Sequence, residues 1–134
     1  MHQEGNETLP LREPSDLLLV RQMVRQRAEA LGFNALNRTK IITAASELGR
    51  NVLTHGGGGS VRLETCVDRD RRGLRLTFED RGPGIPDIEQ AMKDGFTTAG
   101  GLGLGLGGSR RLVSEFEIVS RPGEGTRVMV TQWT

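Results

Sequence analysis

An alternation of glycine and leucine, from Gly101 to Gly108, constrains this chain more than any other stretch of its sequence. Glycine loses more conformational freedom on folding than other residues, so a glycine run is expected where the backbone conformation requires it. The interleaved leucines do not suit a Gly/Ser spacer, which disfavours a flexible linker. Neighbouring amides in such a run can form a nest for an anion, and a following helix N-terminus would add positive charge. The run therefore predicts a phosphate-binding loop.

The better-known phosphate sites do not fit the sequence. Gly103, Gly105 and Gly108 match the dinucleotide pattern G-x-G-x-x-G, but no strand immediately precedes them and too little chain follows for a second nucleotide-binding half. The P-loop pattern G-x-x-x-x-G-K-[ST] does not occur, and the H-R-D and D-F-G signatures of eukaryotic-type protein kinases are missing. A phosphate site of another architecture is therefore expected.

Hydrophobic periodicity predicts helices early in the chain and strands later. Apolar residues recur at helical spacing in two early segments and alternate in two later ones. The predicted helices cover 14–31, 37–55, 87–92 and 109–116, and the predicted strands cover 60–67, 73–79, 117–120 and 126–133, with an edge strand in the first dozen residues. The second helix is expected to end in a flexible glycine turn over 56–59. This order predicts an α+β fold with helices on one face of a mixed sheet.

Size, charge and cysteine usage narrow the class of protein. The 134 residues suit one domain over 1–134. A formal net charge of +1 indicates neither a nucleic-acid nor a membrane partner. No apolar run approaches the roughly 20 residues of a membrane span, and the N-terminus lacks the pattern of a secretory signal. The single cysteine, Cys66, cannot form a disulfide framework and is expected to be a packed thiol in a reducing cytoplasm.

A polar stripe runs along the second predicted helix. Thr43, Glu47, Asn51 and His55 are each four residues apart, so their side chains stack on one face. Glutamate can accept a proton from a hydroxyl group, and the neutral oxygen of asparagine suits Mg²⁺. A solvated helix face explains the same spacing, and a capping or packing role is favoured for His55. The stripe alone leaves both interpretations open.

The segment Asp80-Arg81-Gly82-Pro83-Gly84 directly follows a predicted strand. An aspartate at a strand end can accept a hydrogen bond from an exocyclic amine such as that of adenine. The two glycines would let the backbone turn tightly and approach a flat ligand. An ordinary turn has the same composition, so this segment alone also leaves two interpretations open.

Taken in order, these motifs resemble those of the GHKL ATPase superfamily over nearly the whole chain. The segment Glu47–Asn51 resembles its N box, Asp80–Gly84 its G1 box, and Gly101–Gly108 its G2 box. The segment Gly123-Glu124-Gly125-Thr126 resembles its last glycine box. The resemblance is greatest to the compact anti-sigma regulatory kinases, and among them to the RsbT-type switch kinases of the stressosome. It implies the Bergerat fold, a two-layer sandwich with a mostly antiparallel sheet.

The resemblance also implies roles for individual residues. Glu47 would be the base that activates an acceptor hydroxyl group, and Asn51 would hold Mg²⁺ against the phosphates. Asp80 would accept from the adenine amine, with Gly82 and Gly84 shaping the pocket. Backbone amides would bind phosphates in a loop, and Thr126 would support the adenine end. The loop residues so assigned are Gly101, Leu102, Gly103, Leu104 and Gly105.

The implied activity is that of a serine/threonine protein kinase dependent on ATP and Mg²⁺. Its substrate would be a STAS-domain antagonist protein, and a second partner such as a phosphatase would receive the released kinase. The alternative is a binding module, an anti-sigma factor or phosphatase activator, in which nucleotide only sets the conformation. Glu47 favours catalysis, because a pure binding module has no need of a base there.

Overall fold

The structure is a computed structural model that describes residues 6–85, 87–92 and 105–134. In these ranges the helices are α1 (Pro14–Ala30), α2 (Ala35–Thr54), α3 (Ile88–Ala91) and α4 (Gly105–Leu112). The strands are β1 (Glu7–Leu11), β2 (Gly59–Asp68), β3 (Arg71–Asp80), β4 (Glu115–Arg121) and β5 (Gly125–Trp133). None of the helices in the described ranges is long and apolar enough to cross a membrane.

The strands form one five-stranded sheet in the order β1-β2-β3-β5-β4. The predicted α+β class is confirmed, and every pairing among the described strands is antiparallel rather than mixed. The reason lies in the position of β5. Both β3 and β4 run antiparallel to β5, so they share a direction, but β5 lies between them and they never pair.

The core lies between the helices and one face of the sheet. Val61, Phe78 and Val128 form one row across β2, β3 and β5, and Leu63, Leu76 and Val130 form the next. All six are buried. The helices cover this face with buried residues at helical spacing: Val20, Val24 and Ala28 of α1 and Ile41, Ala45, Leu48 and Val52 of α2. This is the two-layer arrangement expected for helices on one face.

Capping side chains set where the long helices begin. Pro14 is the first residue of α1, and the Asp16 carboxylate accepts from the backbone amides of Arg12 at 2.9 Å and Glu13 at 3.2 Å. The start of α2 lies slightly before the predicted one. Asn34 is its N-cap, with a side chain that accepts from the amide of Asn37 at 2.8 Å, so Asn37 lies in the first turn.

The last helix does not cover the predicted range 109–116. Helix α4 already begins at Gly105, and the chain re-enters the sheet at Glu115. Gly105 and Gly107 are buried, and α4 packs against α2. Phe116 alternates with Ile118 on β4 and pairs with Val130, so its hydrophobicity belongs to the sheet. Glycine has a low helix propensity, so the sequence predicts a start of α4 that is four residues too late. In the folded chain, tertiary packing overrides that propensity.

Candidate functional site

The polar stripe of α2 is half-buried where it carries the predicted chemistry. Glu47 and Asn51 are both half-buried and lie one helical turn apart. The Glu47 side chain is 13% exposed, and its Oε1 lies 2.9 Å from Nη1 of Arg50, whose side chain is 55% exposed. His55 is exposed and occupies the C-cap position of α2, where its backbone amide donates to the Asn51 carbonyl oxygen at 2.9 Å.

The turn after α2 carries the chain from this stripe to the end of β3. The amide of Gly56 also donates to the Asn51 carbonyl oxygen, at 3.2 Å, and the amide of Gly58 donates to Val52 at 3.0 Å. Gly59 then begins β2 and pairs directly with Asp80. The C-terminal end of α2 therefore lies beside the strand end that carries Asp80.

Asp80 is the last residue of β3 and is half-buried. It is held between two neighbouring strands, opposite Gly59 of β2 and Thr126 of β5. Its Oδ1 accepts a hydrogen bond from the amide of Gly82 at 2.9 Å. Among the described residues this is the carboxylate's only hydrogen bond to protein, so Oδ2 keeps its capacity to accept from a ligand.

The loop that follows Asp80 is fixed to the turn between β4 and β5. Gly84 has a φ of +79°, and a Cβ there would overlap the carbonyl oxygen of Arg121. The amide of Gly123 donates to the Pro83 carbonyl oxygen at 2.7 Å. A residue without a side chain is therefore required at position 84 both by its conformation and by the space available.

Ser120 is a site residue that the sequence motifs did not single out. Its Oγ accepts from the amide of Ile85 at 2.7 Å, donates to the Gly125 carbonyl oxygen at 3.1 Å, and lies 2.8 Å from Oγ1 of Thr126. The Ser120 hydroxyl group has one proton, which it donates to Gly125. In the contact between the two hydroxyl groups, Thr126 is therefore the donor, and its own lone pairs remain available for a ligand or water. The signal was available in the predicted hairpin, which pairs Ser120 with Thr126 across its turn.

The structure describes the glycine-rich run from Gly105 onward. Gly101, Leu102, Gly103 and Leu104 lie outside the described residues. Gly105 is the buried first residue of α4, with a φ of +70°, and its carbonyl oxygen accepts from the Ser109 hydroxyl group at 3.0 Å. Because α4 packs against α2, the N-terminal amides of α4 lie on the same side of the sheet as the polar stripe.

The geometry brings several of the predicted residues to one end of the molecule. A carboxylate acceptor, Asp80, lies at the end of β3, and Thr126 pairs with it from β5. Asn51 is linked to this region through Gly56, and Glu47 lies one turn further along α2. Such a site can accept a hydrogen bond from an amine at one end and a proton at the other.

Cys66 of β2 lies outside this site and is half-buried, as expected for a packed thiol. Burial raises the pKa of the Cys66 thiol above its usual value, although the positive charge of Arg75 acts in the opposite direction. A raised pKa leaves less thiolate at neutral pH, which disfavours nucleophilic reactivity.

Comparison with known proteins identifies the family. The family model described as histidine kinase-, DNA gyrase B- and HSP90-like ATPase matches residues 36–133. The chain is 46% identical over 118 residues to the serine/threonine-protein kinase RsbT of Bacillus subtilis (strain 168), covering 88% of this chain and 89% of that protein. It is 36% identical over 98 residues to the anti-sigma F factor of Thermoanaerobacter sp. (strain X514), covering 69% and 68% respectively.

A solved structure supports the fold. The crystal structure of the RsbU and RsbW domains of a Mycobacterium tuberculosis protein superposes with a TM-score of 0.66 at 22% identity. The superposition covers 96% of this chain and 32% of that longer one. The chain thus belongs to the GHKL family of ATPases and is related within it to a serine/threonine-protein kinase and to anti-sigma F factors.

Proposed function

We propose that this chain, as one domain over residues 1–134, is a serine/threonine kinase that transfers the γ-phosphate of ATP to a STAS-domain antagonist. It would act as a partner-switching regulator in the bacterial cytoplasm, as part of a stressosome pathway. The observation that carries the proposal is the half-buried Glu47, one turn from Asn51 on α2, in a chain 46% identical to a serine/threonine-protein kinase over most of its length.

The adenine end of the proposed site is built on Asp80. Its Oδ1 is engaged by the Gly82 amide, which leaves Oδ2 to accept from an exocyclic amine. Gly84 brings backbone close to the turn between β4 and β5, and so shapes the wall of the pocket. Thr126 lies opposite Asp80 and can bind the base directly or through water, using the lone pairs that Ser120 leaves free.

The phosphate end of the proposed site uses α2 and the glycine-rich run. Within the described ranges no group of three or more His, Cys, Asp and Glu side chains could hold a metal ion. A single carboxamide oxygen fits Mg²⁺ nonetheless, because this ion keeps several waters and takes its other ligands from substrate phosphates. Asn51 would supply that oxygen, and bound Mg²⁺ would neutralise charge on the phosphates. Backbone amides of Gly101, Leu102, Gly103, Leu104 and Gly105 would bind phosphate oxygens.

Glu47 is the proposed base for transfer. Its carboxylate accepts the proton of the acceptor serine or threonine hydroxyl group as the hydroxyl oxygen forms a bond to the γ-phosphorus. The bond from that phosphorus to the β,γ-bridging oxygen breaks, and ADP leaves with the electron pair. Arg50 holds the Glu47 carboxylate in one orientation through their 2.9 Å ion pair. Phosphoryl transfer depends mainly on positioning and charge stabilisation, so a small site suffices.

A second candidate function is a nucleotide-dependent binding module. The observation in its favour is the 36% identity to an anti-sigma F factor over 69% of the chain. In this alternative, nucleotide sets the conformation, and the output is capture of a partner such as a sigma factor or a phosphatase. In the kinase proposal, a phosphatase is instead the second partner, bound after the antagonist is phosphorylated and released.

The first experiment is calorimetric titration of the chain with ATP, with and without Mg²⁺. Wild type should bind ATP more tightly with Mg²⁺, and Asn51→Ala should lose most of that difference because the carboxamide oxygen is gone. Thr54→Ala, an exposed change on the same helix, is the matched control and should behave as wild type. A magnesium response unchanged in Asn51→Ala would remove Asn51 from the metal site.

Transfer is then measured with radiolabelled γ-phosphate and a purified STAS-domain protein. Label on a serine or threonine of that protein supports the kinase. ATP binding without any transfer, together with capture of a partner that depends on nucleotide, would favour the binding module instead.

A further inference from the structure

The glycines that follow α2 are not equivalent, although the sequence predicts only a flexible turn there. Gly57 has a φ of +71°, and a Cβ added to it would meet nothing within 4 Å. Gly56 is not among the glycines with positive φ, so its φ does not itself call for glycine. What Gly56 lacks is space, because the three atoms nearest to an added Cβ all belong to the Asp80 side chain.

The contact leaves no room for even a methyl group. An added Cβ at Gly56 would lie 2.6 Å from Oδ2 of Asp80 and closer still to its Cγ and Cβ. Gly82 approaches from the other side, since its own Cβ would lie 2.8 Å from the Cα and carbonyl oxygen of Gly56. The carboxylate is therefore packed between the Gly56 backbone and the loop whose amide it binds.

Asp80 cannot escape such a methyl group by moving its backbone. It pairs with Gly59 on one side and Thr126 on the other. The start of the neighbouring strand β5 is also close to Asp80, because a Cβ at Gly125 would overlap the Asp80 carbonyl oxygen. A side chain at position 56 must therefore turn the carboxylate and also displace the Gly56 turn from the fixed Asp80 Cβ, at the expense of the hydrogen bond from Gly82.

We propose that Gly56 is a positioning residue for Asp80, and that its missing side chain is what allows this site to select adenine over guanine nucleotides. This inference rests on the proposed function, in which the Asp80 carboxylate accepts from the adenine amine. A carboxylate is only an acceptor, so it attracts the amine of adenine and repels the carbonyl oxygen at the same position of guanine. A carboxylate turned away by a methyl group at position 56 loses both effects together.

The test compares ATP and GTP titrations of wild type, Gly56→Ala, Gly57→Ala and Asp80→Gly. Loss of a hydrogen bond to a charged group should raise the ATP Kd of Gly56→Ala by roughly tenfold or more. The ratio of ATP to GTP affinity should fall by a similar factor. Gly57→Ala is the matched control: it strains the backbone at positive φ without touching Asp80, so it should lower stability and leave the ratio unchanged. An affinity ratio in Gly56→Ala equal to that of wild type would overturn the inference.

The double variant Gly56→Ala/Asp80→Gly removes the atoms that the methyl group would meet. If the inference is correct, Gly56→Ala has little further effect on nucleotide binding once Asp80 is glycine. If Gly56→Ala alone does not fold, the double variant should recover folding, and failure to recover would also overturn the inference. Unchanged ATP affinity and selectivity in Asp80→Gly would instead contradict the adenine role of Asp80 in the proposed function, and this inference with it.

Discussion

The two ends of the candidate site are built in different ways. At the base end, named for the adenine base that it is proposed to bind, the walls are largely backbone in close contact with backbone. This end is formed by Asp80, the loop 81–85 and the turn 121–125. On the proposed transfer face, formed by Glu47 and Asn51, the chemistry would be carried by side chains on a regular helix. The base end is therefore sensitive to added atoms, and the transfer face to the loss of a functional group.

The difference has a physical origin. Selecting a flat base requires a surface of fixed shape, and backbone locked by strand pairing supplies one at low entropic cost. Accepting a proton or holding an ion requires a particular oxygen, which a helix can present without help from its neighbours. The ion pair between Glu47 and Arg50 illustrates this, because it is local and its partner is largely exposed. Such a pair contributes little to stability.

The largest expected effect is on the transfer face. Glu47→Gln keeps the shape of the side chain but removes its ability to accept a proton at neutral pH. We expect the rate of phosphoryl transfer to fall by roughly a hundredfold or more, with ATP affinity and unfolding free energy close to wild type. Glu29→Gln, on the exposed face of α1, is the matched control and should leave transfer unchanged. Full transfer by Glu47→Gln would exclude this side chain as the base.

The next largest effect is expected at Gly84, and it tests whether close backbone contacts shape the base end. Gly84 and Gly123 share a φ of +79°, but only at Gly84 would a Cβ overlap another atom, the Arg121 carbonyl oxygen. Gly123→Ala should lower the free energy of unfolding by about 1–2 kcal/mol from its left-handed conformation alone. Gly84→Ala should cost roughly 1–3 kcal/mol more and weaken ATP binding. Urea denaturation and ATP titration measure both, and equal losses in the two variants would show that the close approach at Gly84 is unimportant.

A smaller effect is expected at Ser120. Ser120→Ala leaves the Ile85 amide without its 2.7 Å acceptor and Thr126 without its 2.8 Å partner. We expect a loss of about 1–3 kcal/mol in unfolding free energy and a several-fold rise in the ATP Kd. Ser46→Ala is the control, since among the described residues that hydroxyl group bonds only back to the Ile42 carbonyl oxygen within α2. An ATP Kd that changes equally in both variants would separate Ser120 from the site.

The smallest effect lies outside both ends, at Cys66. Burial raises the pKa of its thiol, so at alkaline pH the unfolded chain loses this proton before the folded chain does. The protonated Cys66 thiol makes its full contribution to the free energy of unfolding below the ordinary thiol pKa of the unfolded chain. That contribution is lost as pH rises through the raised pKa of the folded chain. Wild type should therefore lose slightly more stability than Cys66→Ala between neutral and alkaline pH, measured by urea denaturation. A parallel decline in the two proteins would contradict the shift.

Part of the fold could be predicted from the sequence because it depends on local pattern. Alternating apolar residues gave the hairpin β2–β3, and helical spacing gave α1 and α2 to within a few residues. The predicted start of α4 was wrong, since the helix already begins at Gly105, and local propensity does not reveal that α4 packs against α2. The absence of parallel pairs among the described strands depends on β5 lying between β3 and β4, which no local pattern encodes.

The candidate site divides in the same way. The sequence alone determined which residues carry acceptor groups, because the spacing of Glu47 and Asn51 on a helix and the position of Asp80 at the end of a strand follow from chain geometry. Tertiary structure alone decided that Ser120 supports Ile85 across 35 residues, and that Gly56 leaves space for the Asp80 carboxylate. Spacing reveals the chemistry a residue brings, whereas contacts between distant segments depend on how whole elements pack, and only the folded chain brings them together.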